Sequence, residues 1–161
     1  MVSSRWEMLS FWRVTVEAFA VSIIVSVVSI VVFIPFESLD QELSPSPSIA
    51  DMPHPLFGFL LFICIVPFFE TLIFQSFPRL LLSRFRYFRV NEFIMVAVSG
   101  VCFGVLHCYS LSYMFQMTMV GMFFMYLYLR RGVRGDAIFV VWVVHGLRNC
   151  IPFSIELLKL G

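Results

Sequence analysis

Five stretches of this chain are long enough and apolar enough to cross a lipid bilayer, and no other feature limits its fold as tightly. A spanning α-helix needs about 20 mostly apolar residues, because each residue advances about 1.5 Å through a hydrocarbon core about 30 Å thick. The windows run from Phe11 to Phe36, Leu56 to Leu82, Glu92 to Tyr109, Leu111 to Leu129 and Ala137 to Leu158. In lipid, backbone N–H and C=O groups have no water to bond, so apolar segments of this length span as helices. The expectation is an all-α, polytopic membrane bundle of about five transmembrane helices. Composition agrees, since 60% of the 161 residues are hydrophobic against roughly 45–50% in soluble domains.

The first window is longer than the apolar core of a signal peptide and reads as an uncleaved anchor. After it, Glu37 to Pro55 is rich in Ser, Pro and acid, holds no Lys or Arg, and reads as a solvated loop in which His54 has no special role. Residues 1–55 thus form an anchor and outer loop, and residues 56–161 a separate helix bundle. Basic residues alternate by side. Arg5 and Arg13 precede the first helix, Arg79, Arg84, Arg86 and Arg89 join the second and third, and Arg130, Arg131 and Arg134 precede the fifth. The positive-inside rule then places the N-terminus in the cytoplasm and the C-terminus outside, in a cell's inner (cytoplasmic) membrane. A net charge of +1 gives no electrostatic case for nucleic acid. The cysteines, Cys64, Cys102, Cys108 and Cys150, sit in apolar segments without C-x-x-C spacing and read as small fillers.

Polar side chains inside the bilayer are costly and need a reason to be there. They gather on three helices: Glu70, Thr71 and Gln75 on the second, His107 on the third, and His145, Arg148 and Asn149 on the fifth. Residues four apart share a helix face, so Thr71 with Gln75, Phe103 with His107, and His145 with Asn149 can each be presented toward one cavity. Gly100 and Gly104 form a G-x-x-x-G that permits close helix packing beside His107. Pro67 removes a donor one turn before Glu70 and is expected to kink that helix. Met114, Met117, Met119 and Met122 on the fourth helix read as lipid or helix contacts, and Tyr109 and Tyr113 as interfacial aromatics.

The run Glu70-Thr71-Leu72-Ile73-Phe74-Gln75, then Phe103-Gly104-Val105-Leu106-His107, then His145-Gly146-Leu147-Arg148-Asn149 resembles, in order and topology, the CPBP family (CAAX protease and bacteriocin-processing, or Abi), Rce1-like intramembrane proteases included. The family pattern has Glu-Glu-x-x-x-Arg, Phe-x-x-x-His and His-x-x-x-Asn, so Thr71 and Gln75 replace the second Glu and the Arg. The exchange reads as compensated by a neutral hydrogen bond between the two. The resemblance covers roughly Pro67 to Pro152 and implies an intramembrane endopeptidase acting on a membrane-associated protein or peptide. It implies catalytic roles for Glu70 as general base, His107 as its partner on the water, and His145 and Asn149 as oxyanion donors. Thr71, Gln75, Phe103 and Arg148 would support them, Phe103 by packing and Arg148 by pairing with Glu70 or reaching outward. A zinc ion on Glu70, His107 and His145 is the competing mechanism, one carboxylate and two imidazoles leaving a position open for water. The runner-up function is a nonenzymatic immunity or accessory protein binding a membrane partner through the same cavity. A proton-coupled carrier would use the same residues as a relay, but no repeated half is visible in the sequence.

Overall fold

The computed structural model describes residues 2–40, 42–43, 52, 54–132 and 135–159. The remainder of the acidic loop and Arg134 lie outside the described residues. Helix α1 is Val2–Phe33, extended by a 3-10 turn over Ile34–Leu39. A long rod follows over Pro55–Leu82, built from three α segments, α2 (Pro55–Phe59), α3 (Val66–Thr71) and α4 (Phe77–Leu82). Then come a short α5 (Arg86–Val90), α6 (Glu92–Leu106), α7 (Leu111–Gly132) and α8 (Ala137–Lys159). The fold is an all-α helical bundle, and the chain is a multi-pass membrane protein. By length and apolarity Ser10–Phe36, Pro55–Leu82 and Ala137–Lys159 are candidate spans, while Glu92–Leu106 is a shorter apolar helix.

Helix α1 is apolar on the outside and polar on the inside. Thr15, Ser22, Ser26 and Ser29 are buried, whereas Val16, Ile24, Val28 and Val31 are more than half exposed. This is the arrangement a bilayer favours, because lipid is as apolar as a core and small residues let helix backbones approach. The buried hydroxyls satisfy themselves on their own helix, Thr15 donating to the Phe11 carbonyl at 2.9 Å and Ser29 to the Val25 carbonyl at 2.6 Å. This stripe faces α7 and α8.

The rod over Pro55–Leu82 is interrupted by two π-helical turns, Leu60–Ile65 and Leu72–Ser76. In each, the closing amide reaches five residues back, Val66 to the Leu61 carbonyl and Phe77 to the Leu72 carbonyl. Each turn runs into a proline at the start of the next α segment, Pro67 and Pro78. Proline lacks an N–H and clashes with the carbonyl four residues before it, and widening the turn relieves the clash. The distortion expected at Pro67 is therefore present, and a second occurs ahead of Pro78. Carbonyls along the rod are taken by neighbouring helices: Trp142 Nε1 donates to Cys64 O at 2.8 Å, Asn149 Nδ2 to Phe62 O at 3.1 Å, and the Ser99 hydroxyl to Phe74 O. Neighbouring side chains supply what the broken helix lost.

Helices α6 and α7 form a tight hairpin. A Cβ on Gly104 would stand 2.6 Å from the Met114 carbonyl, so the G-x-x-x-G does bring the two backbones together. Helix α6 stops at Leu106, short of the expected Tyr109, because the chain must reverse over 107–110 to enter α7. Other details differ from expectation. His54 caps α2, its Nδ1 accepting from Leu56 N at 3.1 Å. Cys102 and Cys108 are exposed, and Cys64 and Cys150 half-buried, because the outer faces of these helices meet lipid and tolerate small apolar groups as a core would. Met117 is buried against the cavity described next, whereas Met119 faces outward.

Candidate active site

The rod, the end of α6 and the middle of α8 surround a cavity of about 630 Å³ lined by Glu70, His107, Tyr113, His145, Arg148 and Asn149, among others. The two π turns set the direction of Glu70, which stands on α3 between them. Its Oε1 lies 3.5 Å from His107 Nε2 and its Oε2 lies 3.3 Å from His145 Nε2. The carboxylate is thus flanked by two imidazoles contributed by two other helices.

The two histidines are held differently. Because α6 ends at Leu106, the Phe103 carbonyl is left for the imidazole one turn on, and His107 Nδ1 stands 2.7 Å from it. A carbonyl only accepts, so Nδ1 carries the proton, and in the neutral ring Nε2 presents its lone pair to the cavity. His145 is 3% exposed, and among the described residues its Nδ1 has no hydrogen-bond partner. Its ring is packed 4.7 Å from Phe124 and 5.7 Å from Phe103, centroid to centroid. Phe103 is the floor shared by both rings, 4.4 Å from His107 and set edge-on to Phe74 at 5.3 Å. Gly121 of α7 makes room for it, since a Cβ there would stand 2.8 Å from Phe103 Cβ. A Cβ at Gly146 would stand 2.6 Å from the Ile63 carbonyl, so the glycine after His145 lets α8 touch the widened turn.

Two expectations about supporting residues change. Thr71 and Gln75 do not bond to each other: the π turn that follows Thr71 breaks the four-residue relation, and the Thr71 hydroxyl donates to the Pro67 carbonyl at 2.8 Å. Gln75 is fully buried, and both of its amide atoms lack a partner among the described residues. Arg148 lines the cavity but gives Nε and Nη2 to the Ser26 hydroxyl at 3.3 and 3.1 Å, not to Glu70. Tyr113, read as an interfacial aromatic, also lines the cavity, with its ring centroid 6.1 Å from that of His107. Ser26 had no part in the sequence reading, although the helical spacing of Ser22, Ser26 and Ser29 marks an inward face. Asn149 lines the cavity with one amide hydrogen committed to Phe62 O.

The Glu70, His107 and His145 trio does not fit a zinc ligand set. Among the described residues no group of three His, Cys, Asp or Glu side chains is disposed to hold a metal ion. The family model for type II CAAX prenyl endopeptidases, Rce1-like, matches residues 52–151. The chain belongs to the Rce1-like family. The matched region holds Glu70, His107, His145 and Asn149, and excludes α1 and its loop up to residue 51. No curated protein and no solved structure matches the Rce1-like chain.

Proposed function

We propose that the Rce1-like chain is an intramembrane endopeptidase that hydrolyses a peptide bond of a membrane-associated protein or peptide, with water activated by Glu70. The observation that supports this reading is the placement of both Nε2 atoms within 3.5 Å of the Glu70 carboxylate, in a cavity large enough for a peptide segment. Water between Glu70 and His107 gives a hydrogen bond to the carboxylate and another to the His107 lone pair. As its oxygen attacks the scissile carbonyl, the proton passes to Glu70, and the oxyanion takes donors from His145 Nε2 and the second amide hydrogen of Asn149. Glu70 then returns that proton to the leaving amine. The bond from Asn149 to Phe62 O uses one amide hydrogen and leaves the other to donate. His107 carries its proton on Nδ1 throughout, held by Phe103.

Residues 1–55 are the anchor and outer loop of this enzyme and residues 56–161 its catalytic bundle, in the cytoplasmic membrane with the N-terminus inside and the C-terminus outside. Cysteine labelling from either side of sealed vesicles tests the orientation. Cleavage of a panel of membrane-tethered peptides by the purified protein and by Glu70→Gln in liposomes tests the activity. Wild-type cleavage that falls at least about 10³-fold in the nearly isosteric variant, with its folding intact, is expected. Equal activity in both removes Glu70 from the chemistry.

A further inference from the structure

We propose that Asp40, on the loop after α1, is a positioning residue of this site: it clamps the turn between α6 and α7 and so holds His107 and Tyr113 against the cavity. The inference rests on the hydrolytic reading of Glu70 and His107, and it concerns a residue outside the region shared with the family.

Helix α7 begins with amides that have no partner inside the helix. Asp40, 72 positions earlier in the chain, supplies one: its Oδ1 accepts from Ser112 N at 2.9 Å, and its Oδ2 accepts from the Ser112 hydroxyl at 2.5 Å and the Ser110 hydroxyl at 3.4 Å. A carboxylate at a helix N-terminus is favoured by the macrodipole as well. The same bonds to Ser112 hold the Asp40 carboxyl below its usual value. A second hold lies three residues on, where Leu43 N donates to the Tyr109 carbonyl at 2.8 Å and Glu42 bridges Ser110 in antiparallel fashion. Glu42, Tyr109 and Ser110 also line the cavity, so the strap forms part of its wall.

Between these holds and the end of α6 lies His107. Its backbone N donates to Gly104 O at 2.9 Å, and its carbonyl accepts from Tyr109 N at 2.9 Å. Its ring touches the aromatic pair Tyr109 and Tyr113 at 6.5 and 6.1 Å, and those two rings meet at 5.4 Å. The strap therefore grips the residues on both sides of the imidazole. His107 Nε2 lies 3.5 Å from Glu70, and one water bonded at about 2.8 Å to each side spans at most about 5.5 Å, so a turn that drifts outward by about 2 Å or more breaks the bridge.

The test uses the full chain in detergent with ¹⁵N-labelled histidine, in wild type, Asp40→Ala, Asp40→Asn and Ser112→Ala. Nitrogen spectra report the three imidazoles separately. In Asp40→Ala the His107 resonances are expected to shift or broaden while those of His145, on α8, stay in place, and kcat on a membrane-tethered peptide falls about tenfold or more with KM within about twofold. Asp40→Asn keeps an acceptor for Ser112 N and is expected to fall between. An unmoved His107 with a lowered melting temperature makes Asp40 a helix cap and overturns the proposal, as does a raised KM at constant kcat. If no peptide is cleaved, the hydrolytic reading fails while the spectra still decide whether Asp40 holds His107. If Asp40→Ala does not fold, Asp40→Asn and Ser112→Ala carry the same comparison.

Discussion

Glu70 directs its two oxygens to different histidines, and the histidines are unequal. His107 has its Nδ1 anchored on Phe103 O and offers a lone pair; His145 is sealed among aromatic rings with Nδ1 unpartnered among the described residues. Replacing His107 by Ala is expected to lower the cleavage rate about 10²–10⁴-fold, the usual worth of a positioned proton acceptor, measured as kcat in liposomes. Gln75 makes the opposite prediction. Both ends of its amide are buried without a partner among the described residues, so Gln75→Met, similar in volume, is expected to raise stability by about 1–2 kcal/mol in a denaturation series and to leave cleavage unchanged. A loss of stability instead would reveal a buried water on that amide. That Glu70, His107, His145 and Asn149 line one cavity was legible in the sequence, because polar groups in apolar windows are few and favour a shared interior. That Thr71 and Gln75 do not bond was not legible, because a four-residue spacing means a shared face only while the helix keeps its α register.

At the scale of elements, the second rod turns two prolines into interhelix glue. Its carbonyls at Phe62, Cys64 and Phe74 bind Asn149, Trp142 and Ser99, so the distorted rod that carries Glu70 also docks α8 and α6. Trp142→Phe keeps an aromatic ring but removes the donor to the Cys64 carbonyl, and is expected to cost about 1 kcal/mol or more of stability, read as an earlier unfolding midpoint. The distortion at Pro67 was readable because proline acts on its own helix. Its partners were not, since Trp142 and Ser99 look like ordinary apolar-helix residues until the neighbouring carbonyl is placed opposite them. The inward stripe of α1 was partly legible as Ser22, Ser26 and Ser29 at helical spacing, but its use as the bracket for Arg148 depends on where α8 lies.

For the whole molecule, the apolar windows were enough to expect an all-α membrane bundle, of which three helices are candidate spans, while the contribution of α1 and its loop to the site emerged only from packing. Asp40 ties that loop to α7, and acid should loosen it. Its folded carboxyl value lies below the usual one of about 3.9, so its contribution is complete above that pH and is lost as pH falls through the lower folded value. Faster hydrogen exchange at the Ser112 amide in strong acid, relative to neighbouring amides, is the expected signature, and Asp40→Asn should abolish the difference. Helix α6 carries a further consequence. Its 15 residues reach only about 22 Å, against a hydrocarbon core of about 30 Å. Such hydrophobic mismatch is met by thinning the bilayer around the short segment. Helix α6 ends at Leu106, just before His107, so a membrane thinned there brings the aqueous phase to the place where a hydrolase must obtain its second substrate, and lipid thickness becomes a control on how readily water arrives.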